Sequence, residues 1–346
     1  MRSPAGPTCA RACIVPLVLL SACAASSVPD AGSPDSGPRD SGPDVLWVPA
    51  DGGLGNHSLS VIDMPGILFI ALDGDRMLFT SADGVFSLDR ATGMATQLVG
   101  RSSPFDEPIE VVSDDGGVYW TAEDLTLYRL DRQTRVVTQV DSANPSTAAL
   151  VLSNSLVFLG DYRGVTVHPT DGGPIVTTID MGGEAYGLTV SGAEGYATVL
   201  PGNFGFDADI LHFDMTGDAG LLVSEQREAQ NATFDDQFVY WGTADVGGDG
   251  GALMRAPRGG GQPAEVLHLP LPVLAVTDVG GVVYFATWPG QPVQPGEQGL
   301  YRYDSSSGST VQLATGLQWV LDILVAPEGV YWSENNRRIG RIVPKP

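Results

Sequence analysis

At 346 residues with 43% hydrophobic side chains, the chain is long enough to bury a large core, either as two ordinary domains or as one large all-β unit. Its 41 acidic against 18 basic side chains give a formal charge of −23, a field that repels nucleic acid and anionic lipid and argues against both as binding partners. The 44 glycines and 25 prolines punctuate short Val, Leu, Tyr and Thr runs with turns, which favours β structure over a helical protein.

The first element in chain order is a targeting segment, residues 1–22. Arg2 and Arg11 make a positive start, and Ile14–Leu20 form an apolar run too short to span a bilayer. The run ends in Leu20-Ser21-Ala22-Cys23, which resembles the lipobox of bacterial lipoproteins. The resemblance implies cleavage before Cys23 and acylation of that residue, hence a lipid anchor in a bacterial cell envelope. Ala24 in place of Asp at the next position points to the outer membrane. Cys9 and Cys13 leave with the signal, so Cys23 is the only cysteine of the mature chain and no intramolecular disulfide is available. Loss of Arg2 and Arg11 leaves 16 basic side chains against the same 41 acidic ones, a charge of −25. Residues 23–44, almost wholly Pro, Asp, Ser, Gly and Ala, cannot bury enough apolar surface to offset ordering entropy and form a disordered tether. A tether of that length holds the next domain about 25 Å from the lipid.

From residue 45 to 346 the sequence repeats. The triplets Met77-Leu78-Phe79, Val118-Tyr119-Trp120, Leu156-Val157-Phe158, Gly195-Tyr196-Ala197, Val239-Tyr240-Trp241, Val283-Tyr284-Phe285 and Val330-Tyr331-Trp332 recur at intervals of 41, 38, 39, 44, 44 and 47 residues. Each comes after an alternating segment and a turn, and precedes a third strand such as "LYRLD" or "LYRYD", a tight turn, and in six units a fourth strand. Four short strands at a period near 40 are propeller blades, so the expected fold is an all-β, seven-bladed β-propeller. The seventh unit stops after its third strand, and the spare "SLSVID" at Ser58–Asp63 is expected to complete it and close the ring. Trp120, Trp241 and Trp332 occupy the repeat position and are expected in the interblade core. "VYWTAEDLTLYRLDR" and "VYWSENNRRIGRI" resemble the YWTD-type repeats of lipoprotein-receptor propellers, over roughly residues 58 to 346. The motif's fourth position is Ala122 or Glu334 here instead of Asp, and that family has six blades where this chain has seven.

The repeat leaves two candidate sites. The loops between second and third strands are longest in blades four, five and six, and should line one side of a single face. They contribute Asn203, Asp207, Asp209, Asp245, Asp249 and Trp288, with Trp319 next door in the approach to blade seven. Two rim tryptophans can stack on a sugar ring or anchor a protein, or can simply pack. The second candidate is the central channel. Ten residues before each repeat anchor stand Phe69, Glu110, Ala148, Gly187, Asn231, Ala275 and Asp322. If that position faces the channel, Glu110, Asn231 and Asp322 offer oxygen ligands suited to Ca²⁺, a set similar to that of gluconolactonase-type propellers. The scattered histidines make no zinc pair, and no nucleophile elbow or phosphate loop occurs. The expected function is that of a monomeric, lipid-anchored, non-enzymatic module for a protein or glycan. The alternative is a metal-dependent hydrolase or lyase working at the channel.

Overall fold

The computed structural model describes residues 47–49, 58–101, 107–124, 126–141, 149–201, 207–245, 250–288, 298–335 and 337–346. The expected signal at 1–22, Cys23, the tether at 23–44, Asn203, Asp249 and Ala148 lie outside them.

Each repeat unit folds as an antiparallel sheet in which consecutive strands are hydrogen-bonded neighbours, and seven such sheets succeed one another along the chain. Among the described residues there is no helix. Alternation along the triplet strand explains why the sheets form a ring. In blade two Trp120 packs into a cluster with Leu78 and Val85 of blade one, while the adjacent Tyr119 packs with Val157 and Leu159 of blade three. Blade seven repeats this: Trp332 joins Tyr284 and Leu300 of blade six, and Tyr331 joins Ile70 and Phe79 of blade one. One residue of each pair points to each face, so a blade is apolar on both sides and must be sandwiched. All seven clusters of buried apolar side chains draw on two consecutive blades. Trp332 needs room for its indole, and Gly340 provides it, since a Cβ there would stand 2.1 Å from the ring.

Polar latches reinforce several seams. Arg90 of blade one donates to Glu328 of blade seven at 2.5 Å and lies 6.0 Å from the Tyr331 ring. Arg132 of blade two pairs with Asp73 of blade one, and Arg258 of blade five pairs with Glu194 of blade four while covering the Tyr196 ring. Each arginine comes just after the third strand of its own blade and reaches back to the first hairpin of the preceding one, its other nitrogens donating to carbonyls of its own blade's first hairpin, Asp75 O, Asp114 O and Asp235 O. The turn after the third strand has its own chemistry. Asp89, Asp131 and Asp304 each accept backbone N–H groups two and three residues on, together with a Thr or Ser hydroxyl. In every case these bonds hold the carboxyl below its usual pKa.

Ser58–Asp63 pairs with Arg338–Val343 along its full length and completes blade seven, as the spare strand requires. Val48–Pro49 adds a short fifth strand on its outer side, for which the sequence carries no signal. Trp47, just before it, donates its indole N–H to Arg90 O at 3.1 Å, lies 4.1 Å beneath the Arg341 guanidinium and stacks obliquely on Tyr331.

Two outcomes are expected. A chain begun at Met64 loses Leu59 and Ile62 from the two seams of blade seven, about 3–6 kcal/mol of apolar burial before any strand pairing is counted. Chemical denaturation should show a much earlier or non-cooperative transition. Arg135 sits at φ +60, where the equivalent turns of blades one and six carry Gly93 and Gly308. Arg135→Gly should therefore raise stability by about 0.5–1 kcal/mol, read as an upward shift in Tm.

Candidate functional site

The inner strand of each blade lines the channel, and a repeated irregularity sets its chemistry. In blades one, two, four, six and seven the pairing of first and second strands slips by one residue on the first strand just before the residue that pairs with the repeat anchor. The bulge frees a backbone amide. In blades one and two the hydroxyl after the anchor takes it, Phe69 N–H donating to Thr80 and Glu110 N–H to Thr121. Thr80 then donates to Ile109 O of the next blade, tying the inner strands together.

The residue one step before each anchor's partner is the channel position. It is Phe69, Glu110, Gly187, Asn231, Ala275 and Asp322 in six blades, in agreement with the spacing. Blade three departs, because only seven residues separate its anchor from the anchor's partner across the Asn154–Ser155 turn, where blades one and four, with equally tight turns, have nine. Phe158 consequently pairs with Val151, and Leu150 takes the place that a fixed spacing assigns to Ala148. A two-residue shortening of one hairpin leaves no signal in an apolar run, so counting cannot find it.

Glu110, Asn231 and Asp322 line one cavity of about 390 Å³ along the channel. Its other lining residues are apolar, Ser or Thr, so these two carboxylates face no Lys, Arg or His there. Protein surrounds both carboxyl groups, although the channel leaves each side chain partly accessible. Desolvation and then the charge of Asp322 push Glu110 up to about 8, against a lowering bond from the Leu150 amide. Desolvation pushes Asp322 up to about 6, while the amides of Ile70 and Ile323 pull it down. Asp322 therefore bridges blade seven to blade one, through a 3.4 Å bond from Ile70 N–H, and Glu110 bridges blade two to blade three. The amide oxygen of Asn231 sits beside Gly187 of blade four, 2.8 Å from where a Cβ would stand. Two carboxylates and one amide offer at most five side-chain oxygens, short of the six to eight that calcium takes, so these residues alone do not complete a protein-made calcium cage. Among the described residues no three His, Cys, Asp or Glu side chains converge as a metal site either.

The rim brings other residues together. Trp288 comes just after the second strand of blade six, Trp319 precedes the first strand of blade seven, and their rings meet edge to face with centroids 5.5 Å apart. Both are half-buried. Trp319 stands at φ +51, a strained conformation for a bulky residue. Its N–H donates to Gln298, which is 2% exposed, and its carbonyl accepts from Asn335 N–H. The neighbouring Gln318 N–H donates to Glu334. Glu334 is fully buried and also accepts from the Trp332 indole at 3.2 Å, Arg338 at 2.6 Å and Arg337 at 3.4 Å. The residue replacing the Asp of the YWTD motif is thus the hub that fixes the approach to blade seven. In the sequence Glu334 is visible only as a departure from the motif, with nothing to signal this role.

Other expected rim residues are not gathered around the tryptophans. Part of the blade four insertion is spent on longer strands, Glu194–Pro201 and Asp207–Asp214, so Asp207 and Asp209 lie in a strand instead of a loop. Asp209 accepts the N–H of Glu225 at φ +55, which is a structural duty. Asp245 stands 3.7 Å from exposed His268 on the blade five hairpin.

No protein-family profile matches the sequence, and neither does any curated protein. Solved structures do match in shape. Virginiamycin B lyase from Staphylococcus aureus superposes with a TM-score of 0.65 at 15% identity, covering 83% of this chain and 99% of that one. BamB from Moraxella catarrhalis gives 0.55 at 16% identity, over 87% and 99%. A chain of a mitotic checkpoint complex gives 0.62 at 10% identity, over 94% and 100%. At these identities the likeness is one of fold.

The channel acids carry a pH signature. The folded pKa of Glu110, about 8, lies above its ordinary value of 4.5, so between those pH values the folded state holds a proton that the unfolded chain has released. Stability is lost across that interval as pH rises. Glu110→Gln removes the penalty. Its Tm should match the parent near pH 4.5 and exceed it increasingly toward pH 8, by the equivalent of about 2–4 kcal/mol.

Proposed function

We propose that this chain is a lipid-anchored cell-envelope propeller that binds a protein or glycan at its rim without catalysing a reaction. The observation carrying the reading is the Trp288–Trp319 pair, two half-buried indoles meeting at 5.5 Å with one of them held at φ +51. Backbone strain in a bulky residue persists only where surroundings over-determine it, and Gln298, Glu334 and Asn335 do so here. An amphipathic aromatic pair on a rigid ring is a pre-formed anchor for a partner. Folds of this shape serve both assembly and catalysis: one neighbour is a component of a checkpoint complex, another is a lyase crystallised with quinupristin. The envelope location rests on Arg2, Arg11, the apolar run and Cys23.

Two measurements test it. Cys23→Ala should convert the protein from the membrane fraction to the soluble one. The soluble variant should then co-sediment with purified cell-envelope material, and Trp288→Ala or Trp319→Ala should weaken that co-sedimentation at least tenfold with little change in Tm. Undiminished co-sedimentation in both tryptophan variants would remove the rim from consideration. The alternative, a metal-dependent hydrolase or lyase at the channel, requires a bound divalent ion. Stoichiometric metal in the purified protein, lost in both Glu110→Ala and Asp322→Ala, would replace the present reading with that one.

A further inference from the structure

The rim reading leaves the ligand's chemistry open, and the residues bonded to the Trp319 backbone or next to it in the chain narrow it. They are amides. Gln298 is buried beneath Trp319 and bonded to its N–H; Gln318 is the exposed residue just before it; Asn335 donates its N–H to the Trp319 carbonyl. The Asn335 side-chain oxygen is buried without a hydrogen-bond partner. Each amide offers both donor and acceptor groups, which matches hydroxyl groups that are themselves donor and acceptor.

Among the described residues, the charges in the approach to blade seven are held in one network. Glu334 lies between Arg338 at 2.6 Å and Arg337 at 3.4 Å and takes the Trp332 indole N–H as well. Both arginines of this network are thus engaged with one buried carboxylate instead of standing ready for an acidic partner. What remains on offer among the described residues is an aromatic face and edge fixed at 82° to each other, with Gln298 and Asn335 bonded to the Trp319 backbone and Gln318 beside it. That combination suits a flat, mostly C–H surface with hydroxyls at its margin, as a pyranose ring presents.

Resting on the rim reading above, we propose that the Trp288–Trp319 pair, with Gln318 and Asn335, is a subsite for a neutral hexose-based glycan. One indole lies along a sugar ring and the other closes its end. The amides satisfy its hydroxyls, and the strained Trp319 backbone holds the stacking ring in place before the ligand arrives, so little ordering entropy is lost on binding.

The test uses the purified protein with tetrasaccharides of glucose and of N-acetylglucosamine as neutral probes, a uronic-acid tetrasaccharide as the charged counterpart, and tryptophan fluorescence and calorimetry as readouts. The expected result is saturable binding of a neutral probe with a change in indole emission, and at least tenfold weaker binding of the uronic-acid probe. Trp288→Ala should abolish it. Gln318→Ala, at an exposed position, should weaken it about three- to tenfold without changing Tm, the size of one lost hydrogen bond. Binding that survives Trp288→Ala, a preference for the charged probe, or no binding of any probe would each overturn the proposal. A neutral tetrasaccharide should also compete with envelope co-sedimentation. Tryptophan-dependent co-sedimentation that no sugar displaces would sink the glycan inference alone and leave the rim as a binding site.

Discussion

Every blade depends on having a neighbour. Because strand alternation puts Trp120 on one face of blade two and Tyr119 on the other, neither face can be left to water, and the same holds around the ring. A stack of such sheets is stable only if it closes. Closure falls to six residues, Ser58–Asp63, which carry the chain's start to its finish and place Leu59 and Ile62 in the seams on either side of blade seven. The latches of Arg90, Arg132 and Arg258 come second to this. They orient adjoining hairpins, while the buried apolar seams supply most of the stabilisation.

The same constraint explains where chemistry can occur. With the inner three strands of every blade buried between neighbours, it is the outer strands, strand ends, loops and channel edge that reach solvent. The channel is narrow and its inner strands are bulged, so its polar side chains are drawn into holding neighbouring blades: Asp322 serves Ile70, and Glu110 serves Leu150. Oxygen donors at this position look like ligands in a sequence, and in the ring they are also struts. The rim has fewer structural obligations. Trp288 and Trp319 meet there through two different blades, fixed by polar groups that never appear as a contiguous motif.

Much of the architecture is written in the repeat. The triplets, their spacing and the leftover Ser58–Asp63 strand are enough to set blade number, strand order and closure, because each is a matter of counting residues of a given type. Counting fails where geometry changes without changing composition. The short hairpin at Asn154 and Ser155 moves Leu150 into the channel, and the longer strands of blade four absorb Asp207 and Asp209 from an expected loop. Glu334 shows a third kind of limit. Its substitution for Asp is plain, yet its bonds to Trp332, Arg337 and Arg338 depend on how one hairpin turns, and its bond to Gln318 joins a segment 16 residues away.

Trp47 adds a directional consequence. Locked under Arg341 and against Tyr331, it brings the N-terminal chain to the ring at the seam between blades seven and one. An odd-numbered ring places a blade, not a seam, across from any seam, and here that blade is the fourth. The described chain therefore enters the ring at a single point of its edge, beside blades seven and one. Blade four, with its unusually long strands, lies across the ring from that entry point, and the tryptophan pair sits between blades six and seven, one seam away from it.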